Sequence, residues 1–319
     1  MHPRGPVNAL LPALAATARA AVHTSPGTDC HCPTAHTVLA ERSDSATVVR
    51  HGATVAKAHA PGTDPGHLKL RLTAAAGLPD TLLAPLRLAP VLLHGRLVTF
   101  WPYGTPVDPD TPEAAPWEAA AALLARLHRA PAPPGLPPMR GPAKAARAIR
   151  RLSAAGPHPA AEPVLRAWAA LPAWARAEAP APSARTLCHG DLHLGQLVRH
   201  PAETGPWLLI DVDDLGVGDP AWDLARPAAW YACGLLPPDE WSRFLSAYRG
   251  EGGPAVPSAG DPWPALDVPA RALTVQTAAL AVAKSAAARR PLDEVEQAVV
   301  DACARMGTTP PGLTQGCAT

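Results

Sequence analysis

The sequence predicts an α+β chain in two lobes, a β-rich one followed by a mostly helical one. Three observations carry this. Residues 36–59 alternate apolar and polar side chains in short runs, the pattern of half-buried strands. From Trp117 onward, apolar residues recur at three- and four-residue spacing, the pattern of amphipathic helices. Between Leu187 and Asp223, carboxylates, an amide and three histidines gather around what reads as a short hairpin.

The chain has 319 residues, long enough for two lobes with a sizeable core. Hydrophobic residues are 47% and charged residues 17%, which excludes a disordered or fibrous protein. A net charge of +1 removes the electrostatic footprint of a nucleic-acid binder. The six cysteines are scattered and form no disulfide framework. Cys30-His31-Cys32 with His36 lacks a usual zinc spacing and reads as a reduced loop.

Residues 1–35 read as an N-terminal extension. Its Val7 to Val22 stretch resembles a weak signal peptide, but Pro12 and Arg19 interrupt it, and a capping helix is the plainer reading. No stretch of about 18 apolar residues lacks a charge or a proline. A cytoplasmic protein without a membrane partner is therefore expected, and the sequence sets no oligomeric state.

The β-rich lobe is expected over 36–104. His36 to Glu41, Ala46 to His51 and Ala53 to His59 form a three-stranded meander, with Ser43-Asp44-Ser45 and His51-Gly52 as turns. Lys57 leaves the third strand on one face. It is one of only four lysines in the chain, so filler is a poor explanation for it. It is either an edge-strand charge that blunts aggregation or a fixed ammonium for a phosphate. A helix over 66–76, ended by Gly77, comes next, then strands at Leu86–Leu88, Val91–His94 and Leu97–Trp101. Pro102-Tyr103-Gly104-Thr105-Pro106 breaks the pattern and marks the lobe boundary.

The helical lobe is expected over 105–307. Helices are read at Trp117–Arg129, 143–155, 160–178, Pro220–Ala232, Asp239–Arg249, Val268–Ala288 and Leu292–Arg305. Residues 308–319 read as a disordered tail. Within this lobe, Leu197-Val198 and Trp207 to Ile210 would be two strands of a hairpin. Asp191, His193 and Gln196 precede it and Asp211 follows it. Such an oxygen-rich corner suits Mg²⁺.

Phosphoryl transfer asks for positioning and charge neutralisation more than for covalent chemistry. Lys57 supplies an ammonium for nucleotide phosphates. Asp211 and the Gln196 amide supply metal ligands, and Asp191 receives the proton of an acceptor hydroxyl. Ser43 and Ser45 offer turn N–H groups and hydroxyls to phosphates. Trp101 to Gly104, with Tyr103, offer backbone groups and an aromatic face to a purine.

Cys188-His189-Gly190-Asp191-Leu192-His193-Leu194-Gly195-Gln196 resembles the catalytic loop of the aminoglycoside phosphotransferase and choline kinase superfamily, His-Gly-Asp-x-His-x-x-Asn. Ile210-Asp211-Val212-Asp213 resembles the metal-binding segment of that superfamily, and Asp219 to Ala225 the Asp-Pro-x-x-Asp-Leu-Ala that follows it. Thr54-Val55-Ala56-Lys57 is similar to its nucleotide-lysine strand. The resemblance implies a bilobal, protein-kinase-like fold and ATP-dependent phosphorylation of a small-molecule hydroxyl, with GTP as an alternative donor. It puts Asp191 at the catalytic base, Asp211 and Asp213 at the metal, and His189 and Asp223 in support of the loop. It gives His193 an orienting role.

Two positions depart from the pattern. The metal asparagine is Gln196, as in the maltokinase-like branch, whose activity is one alternative. The helix at 66–76 has no acidic partner for Lys57, and Asp64 is the nearest substitute. A nucleotide-binding pseudokinase is the other alternative. Residues 225–319 hold nine acidic and eight basic residues, so no anionic bowl for a polycation is evident. A neutral or weakly charged hydroxylated acceptor, such as a sugar or natural product, therefore fits as well as or better than a polycation, within an expected class of antibiotic, aminoglycoside-like or sugar-like natural products. Asp214, Trp230, Tyr231 and Trp263, with Trp241, are candidates to line its pocket, and core packing is the competing reading for the aromatics.

Overall fold

A computed structural model describes residues 7–23, 36–41, 45–182 and 185–306. The chain divides into two compact units, each assembled from separated segments. The first takes Met1–Pro116, Pro133–Pro137 and Leu194–Asp213, and the second takes Trp117–Ala132, Pro138–His193 and Asp214–Thr319.

The first unit is built on an antiparallel sheet. Strands β1 (Thr37–Glu41), β2 (Thr47–His51), β3 (Thr54–Ala58), β4 (Val91–Leu93) and β5 (Arg96–Pro102) lie in the order β1-β2-β3-β5-β4. The meander read from alternation is present. His94 and Gly95 both have positive φ, 48° and 75°, as a two-residue turn matched to strand twist requires. Helix α1 (Val7–Val22) lies on one face of the sheet. Its Leu14 and Ala18 are fully buried against Val49, Ala56, Ala58, Val98 and Phe100. The apolar stretch that resembled a signal peptide is thus part of a core.

Strand alternation then decides the other face. Ala56 and Ala58 point towards α1, so Lys57 and His59 point away, joined by Thr99, the cross-strand partner of Lys57. Helix α2 (Pro65–Ala76) follows β3. The expected strand at Leu86–Leu88 does not form. Pro85 and Pro90 bracket it, Leu86 and Leu88 are exposed, and only the Leu86 N–H reaches the sheet, at Phe100 O. A second small sheet joins β6 (Thr105–Pro106), β8 (Leu197–Arg199) and β9 (Trp207–Leu209), which includes the expected hairpin. Gly104 lies so close to it that a Cβ there would stand 2.6 Å from Val198 Cγ2.

The second unit is helical: α3 (Trp117–Arg129), α4 (Gly141–Ala154), α5 (Ala161–Ala169), α6 (Ala221–Ala232), α7 (Pro238–Gly250), α8 (Trp263–Ala288) and α9 (Glu294–Met306). The long α8 runs through it, touching α4, α5, α6 and α9. A two-stranded ribbon, β7 (Thr186–Cys188) with β10 (Gly216–Gly218), carries the loop containing Asp191. Two helix boundaries differ from expectation. The helix predicted over 160–178 stops at Ala169, ahead of Pro172, and Arg176 caps the freed carbonyls of Ala169 and Leu171 at 2.8 and 3.0 Å. The last long helix starts a turn early, at Trp263, with Pro264 in its first turn, and carries the buried Pro269 inside it.

Among the described residues no helix is long and apolar enough to cross a membrane. Cys188, Cys233 and Cys303 are free thiols. The Cys30-His31-Cys32 segment and the 308–319 tail lie outside the described residues.

Leu14→Ala should lower unfolding stability by about 2–5 kcal/mol, the usual cost of emptying a core leucine site. Leu92→Ala, on the exposed side of β4, should stay within about 0.5 kcal/mol. Urea denaturation of both variants reads the difference. Equal, small effects would show that α1 is not part of the core.

Candidate active site

In the first unit, Lys57 is 7% exposed and its Nζ lies 2.7 Å from Asp211 Oδ1 and 2.9 Å from Asp213 Oδ2. Burial pushes the ammonium pKa down, but the two carboxylates more than offset this and hold it above its ordinary value. Burial likewise raises the Asp213 carboxyl, and Lys57 and His59 overcome it, leaving that pKa well below the usual range. Asp211 adopts a left-handed backbone, φ 66°, which aspartate tolerates better than most residues. Its Oδ1 accepts from the Asp213 N–H at 3.1 Å, so the turn that strains it also fixes it.

A buried relay backs Asp213. Trp101 Nε1 donates to Thr99 Oγ1 at 2.8 Å, and Thr99 Oγ1 lies 2.8 Å from His59 Nε2. His59 Nδ1 lies 2.7 Å from Asp213 Oδ1. A neutral His59 that donates from Nδ1 to the carboxylate accepts from the Thr99 hydroxyl at Nε2, and every group in the chain is satisfied. Arg96 donates to the carbonyls of His59, Ala58 and Ser45, which locks the strand ends around the relay.

Gln196 ends a single 3-10 turn, is buried, and its carbonyl accepts from the Ile210 N–H at 2.9 Å. That bond sets it across the hairpin from the residue preceding Asp211. Asp211, Asp213 and Gln196 are an all-oxygen donor set, which fits Mg²⁺ and would not suit a softer metal.

Asp64, Trp101, Tyr103 and Ser45 each have a partner within this unit. Asp64 does not serve Lys57. It caps α2, accepting from the His67 N–H at 2.7 Å, and its side chain is exposed. Trp101 turns its indole into the sheet towards Thr99 and offers no open aromatic face. The Tyr103 N–H donates to Ala53 O at 2.7 Å, its carbonyl lies 3.0 Å from His200 Nδ1, and Arg50 covers its ring at 3.4 Å. Its backbone is therefore engaged within the unit. Ser45 places its carbonyl on Arg96. Ser43 lies outside the described residues.

In the second unit, Asp191 is held from both sides. Lys144 Nζ lies 2.6 Å from Oδ2, and Arg226 Nη2 donates to Oδ1 at 3.0 Å while its Nε donates to Leu192 O at 2.8 Å. Burial raises the Asp191 carboxyl, and the two cations outweigh it, so it stays ionised at neutral pH. Lys144 also reaches Asp214 Oδ2 at 2.8 Å, and Arg140 Nε lies 3.4 Å from Asp214 Oδ1. Asp214 is thus engaged by cations of its own unit. Gly190, φ 82°, is required where it stands, because a Cβ would lie 2.5 Å from Asp214 O. Burial pushes the His193 imidazole down to about 4, which keeps it neutral at pH 7.

Asp223 fixes the loop from below. It is 1% exposed and accepts from the N–H groups of His189 at 2.6 Å and Gly190 at 2.7 Å. His128 Nε2 lies 3.0 Å from Asp223 Oδ2, and its Nδ1 lies 2.7 Å from the Tyr248 hydroxyl, which accepts from Ala255 N–H at 3.0 Å. His128, Cys188 and Asp223 are close enough to share an ion. Burial and the nearby carboxylates push the Cys188 thiol up, though, and both His128 nitrogens already have partners, so the cluster reads as support.

The cavity beside Asp191 is lined by Lys144, Arg226, Leu192, Trp222, Leu273 and Gln276. The aromatics expected there lie elsewhere. Tyr231 stacks on Trp241 at 5.6 Å and on Trp263 at 6.4 Å, and the Trp230 carbonyl caps the end of α6. Tyr231, Trp241 and Trp263 pack on one another, and Trp222 is the aromatic that lines the cavity beside Asp191. A Cβ on Gly141 would meet Trp222 Nε1 at 2.1 Å, so glycine lets α4 start close enough to carry Lys144 to Asp191. Lys144, Arg226 and His59 were missed from sequence. The scarcity of lysine could have singled out Lys144, and Arg226 directly follows the Asp-Leu-Ala motif.

A model of the phosphotransferase enzyme family matches residues 28–263. Streptomycin 6-kinase of Streptomyces griseus is 42% identical over 108 residues, a match spanning 33% of this chain and 32% of that protein. Among solved structures, a choline/ethanolamine kinase family protein from Mesorhizobium loti is similar with a TM-score of 0.56 at 17% identity, covering 94% of this chain and 96% of that one. An aminoglycoside phosphotransferase from Streptomyces rimosus gives 0.54 at 21% identity, over 83% and 98%. A spectinomycin phosphotransferase solved with ADP and its antibiotic gives 0.56 at 13% identity, over 86% and 89%. At these identities the likeness is one of fold, and that fold is protein-kinase-like.

Thr99→Val keeps the shape but leaves His59 Nε2 and Trp101 Nε1 without their shared partner. It should cost about 1–3 kcal/mol of stability in denaturant titration, and a cost near zero would remove the relay. His193 gives a pH signature. Its folded pKa lies below its unfolded value of about 6.5, so between 6.5 and 4 the unfolded chain binds the extra proton and stability falls as pH falls. His193→Gln should flatten that part of the curve by on the order of 3 kcal/mol across the window, and an unchanged slope would contradict the burial.

Proposed function

We propose, for a chain that belongs to the phosphotransferase enzyme family, that it transfers the γ-phosphoryl group of ATP to a hydroxyl of a small molecule. The acceptor class is a sugar-like or antibiotic-like natural product, and GTP is the donor to compare with ATP. The observation that carries the reading is the buried Lys57 ammonium between Asp211 and Asp213, the first of them 154 positions away in the chain. A fixed ammonium with two carboxylates is what binding a nucleotide phosphate beside a divalent ion requires, and it is a costly arrangement for structure alone.

Each residue then has a task. Lys57 passes from the carboxylates to the nucleotide phosphates. Asp211, Asp213 and the Gln196 amide would hold Mg²⁺, which when bound neutralises phosphate charge. Asp191 accepts the hydrogen bond of the acceptor hydroxyl and takes its proton as the acceptor oxygen bonds to phosphorus and the β-phosphate oxygen leaves with ADP. Because Asp191 is held ionised by cations, its work is mostly orientation, and the proton passes late. His189 and Asp223 keep the loop in place, and neutral His193 orients it without adding charge. A cytoplasmic location, where the nucleotide is available, goes with this reading, and the net charge of +1 supports a small-molecule acceptor over a nucleic acid.

Asp191→Asn should lower kcat by about 10²–10⁴-fold while the ATP affinity of the protein, read by calorimetry with Mg²⁺, changes little. Near-full activity in the variant would sink the assignment. Binding of ATP with no transfer across a broad panel of hydroxyl compounds would favour a pseudokinase.

A further inference from the structure

Among the described residues of the second unit, cations outnumber carboxylates in the ion pairs of Asp191 and Asp214. Lys144, Arg226 and Arg140 stand within 4 Å of Asp191 and Asp214, three cations on two carboxylates, which leaves a surplus of one. The walls of the cavity beside Asp191 contain Lys144 and Arg226 and no carboxylate other than Asp191 itself. Lys144 has three N–H groups, and two are directed at carboxylates.

We infer that the acceptor carries an anionic group, a carboxylate or a phosphate, and that Lys144 is the residue that selects it. This rests on the small-molecule kinase reading above and narrows its substrate class. A polycation brought to Asp191 would set like charges against Lys144 and Arg226. The one carboxylate there to receive it is Asp191, which the hydroxyl needs. An anionic group instead takes the remaining N–H of Lys144 and the N–H groups of Arg226 that Asp191 and Leu192 O leave over. Lys144 therefore belongs to substrate recognition as well as to holding Asp191.

The test uses the full-length protein with ATP and Mg²⁺. Parent sugars are offered in matched forms: neutral, as sugar phosphates and uronic acids, and as amino sugars with kanamycin and streptomycin. Added phosphate is read by mass spectrometry. The anionic forms should show at least about tenfold higher kcat/KM than the neutral ones, the discrimination of one good ion pair, and the cationic forms the lowest. Lys144→Gln should raise KM for anionic acceptors about tenfold more than for neutral ones, Lys144→Arg should restore the preference, and salt should erode it. Better turnover of neutral or cationic forms overturns the inference and leaves the kinase reading standing. So does a Lys144→Gln effect equal across classes. No turnover in any class by a protein that binds ATP overturns the inference and favours the pseudokinase. Failure of the wild-type protein to bind ATP in calorimetry overturns the kinase reading itself.

Discussion

A charge removed from water must meet an opposite charge or a set of hydrogen bonds, or it gives up its ionisation. This chain buries several, and the demand organises both units. In the first, the Lys57 ammonium draws Asp211 and Asp213 to strand β3 from a hairpin far along the sequence. In the second, the Asp191 carboxylate draws Lys144 from α4 and Arg226 from α6, and buried Asp223 ties the same loop to α6 and α3 through His189, Gly190 and His128. None of these pairs is needed to make a helix or a strand. Each fixes where one element lies against another within its unit.

The same pairs make the site responsive. Lys57 and its two carboxylates satisfy one another, so a phosphate and a divalent ion can replace that arrangement group for group without leaving a buried charge alone. Asp191 is held ionised by cations that also form the walls of the cavity beside it. Behind both sets lie hydrogen-bond relays, Trp101–Thr99–His59 in the first unit and Ala255–Tyr248–His128 in the second, which point each histidine at a carboxylate. Orientation of this kind, kept rigid by buried hydrogen bonds, is what phosphoryl transfer asks of a protein.

Local pattern made much of this legible. Strand alternation set Lys57 apart from Ala56 and Ala58, and the hairpin at 197–209 followed from two apolar runs and a turn. The order of Lys57, Asp191, Asp211 and Asp223 along the chain carried the resemblance. Other readings failed where tertiary contacts outweigh local signals. Asp64 was nearest in sequence to the expected partner of Lys57, yet the first turn of α2 claims it as a cap. Leu86–Leu88 has strand composition, but the flanking prolines take away ladder bonds. The aromatics Tyr231, Trp241 and Trp263 stack on one another, the core-packing reading that competed with a place in an acceptor pocket.

The sequence by itself determined the fold class and the motif residues of Leu187 to Asp223, because strand and helix periods and loop motifs are encoded within a few neighbouring residues. Only the tertiary structure decided which charges face one another. It gave Lys57 two carboxylates in place of a helix acid, set His59 behind Asp213, and brought Lys144 and Arg226 to Asp191. Ion pairs depend on the positions of elements far apart in the chain, and no local period records which side chains those positions bring within 3 Å.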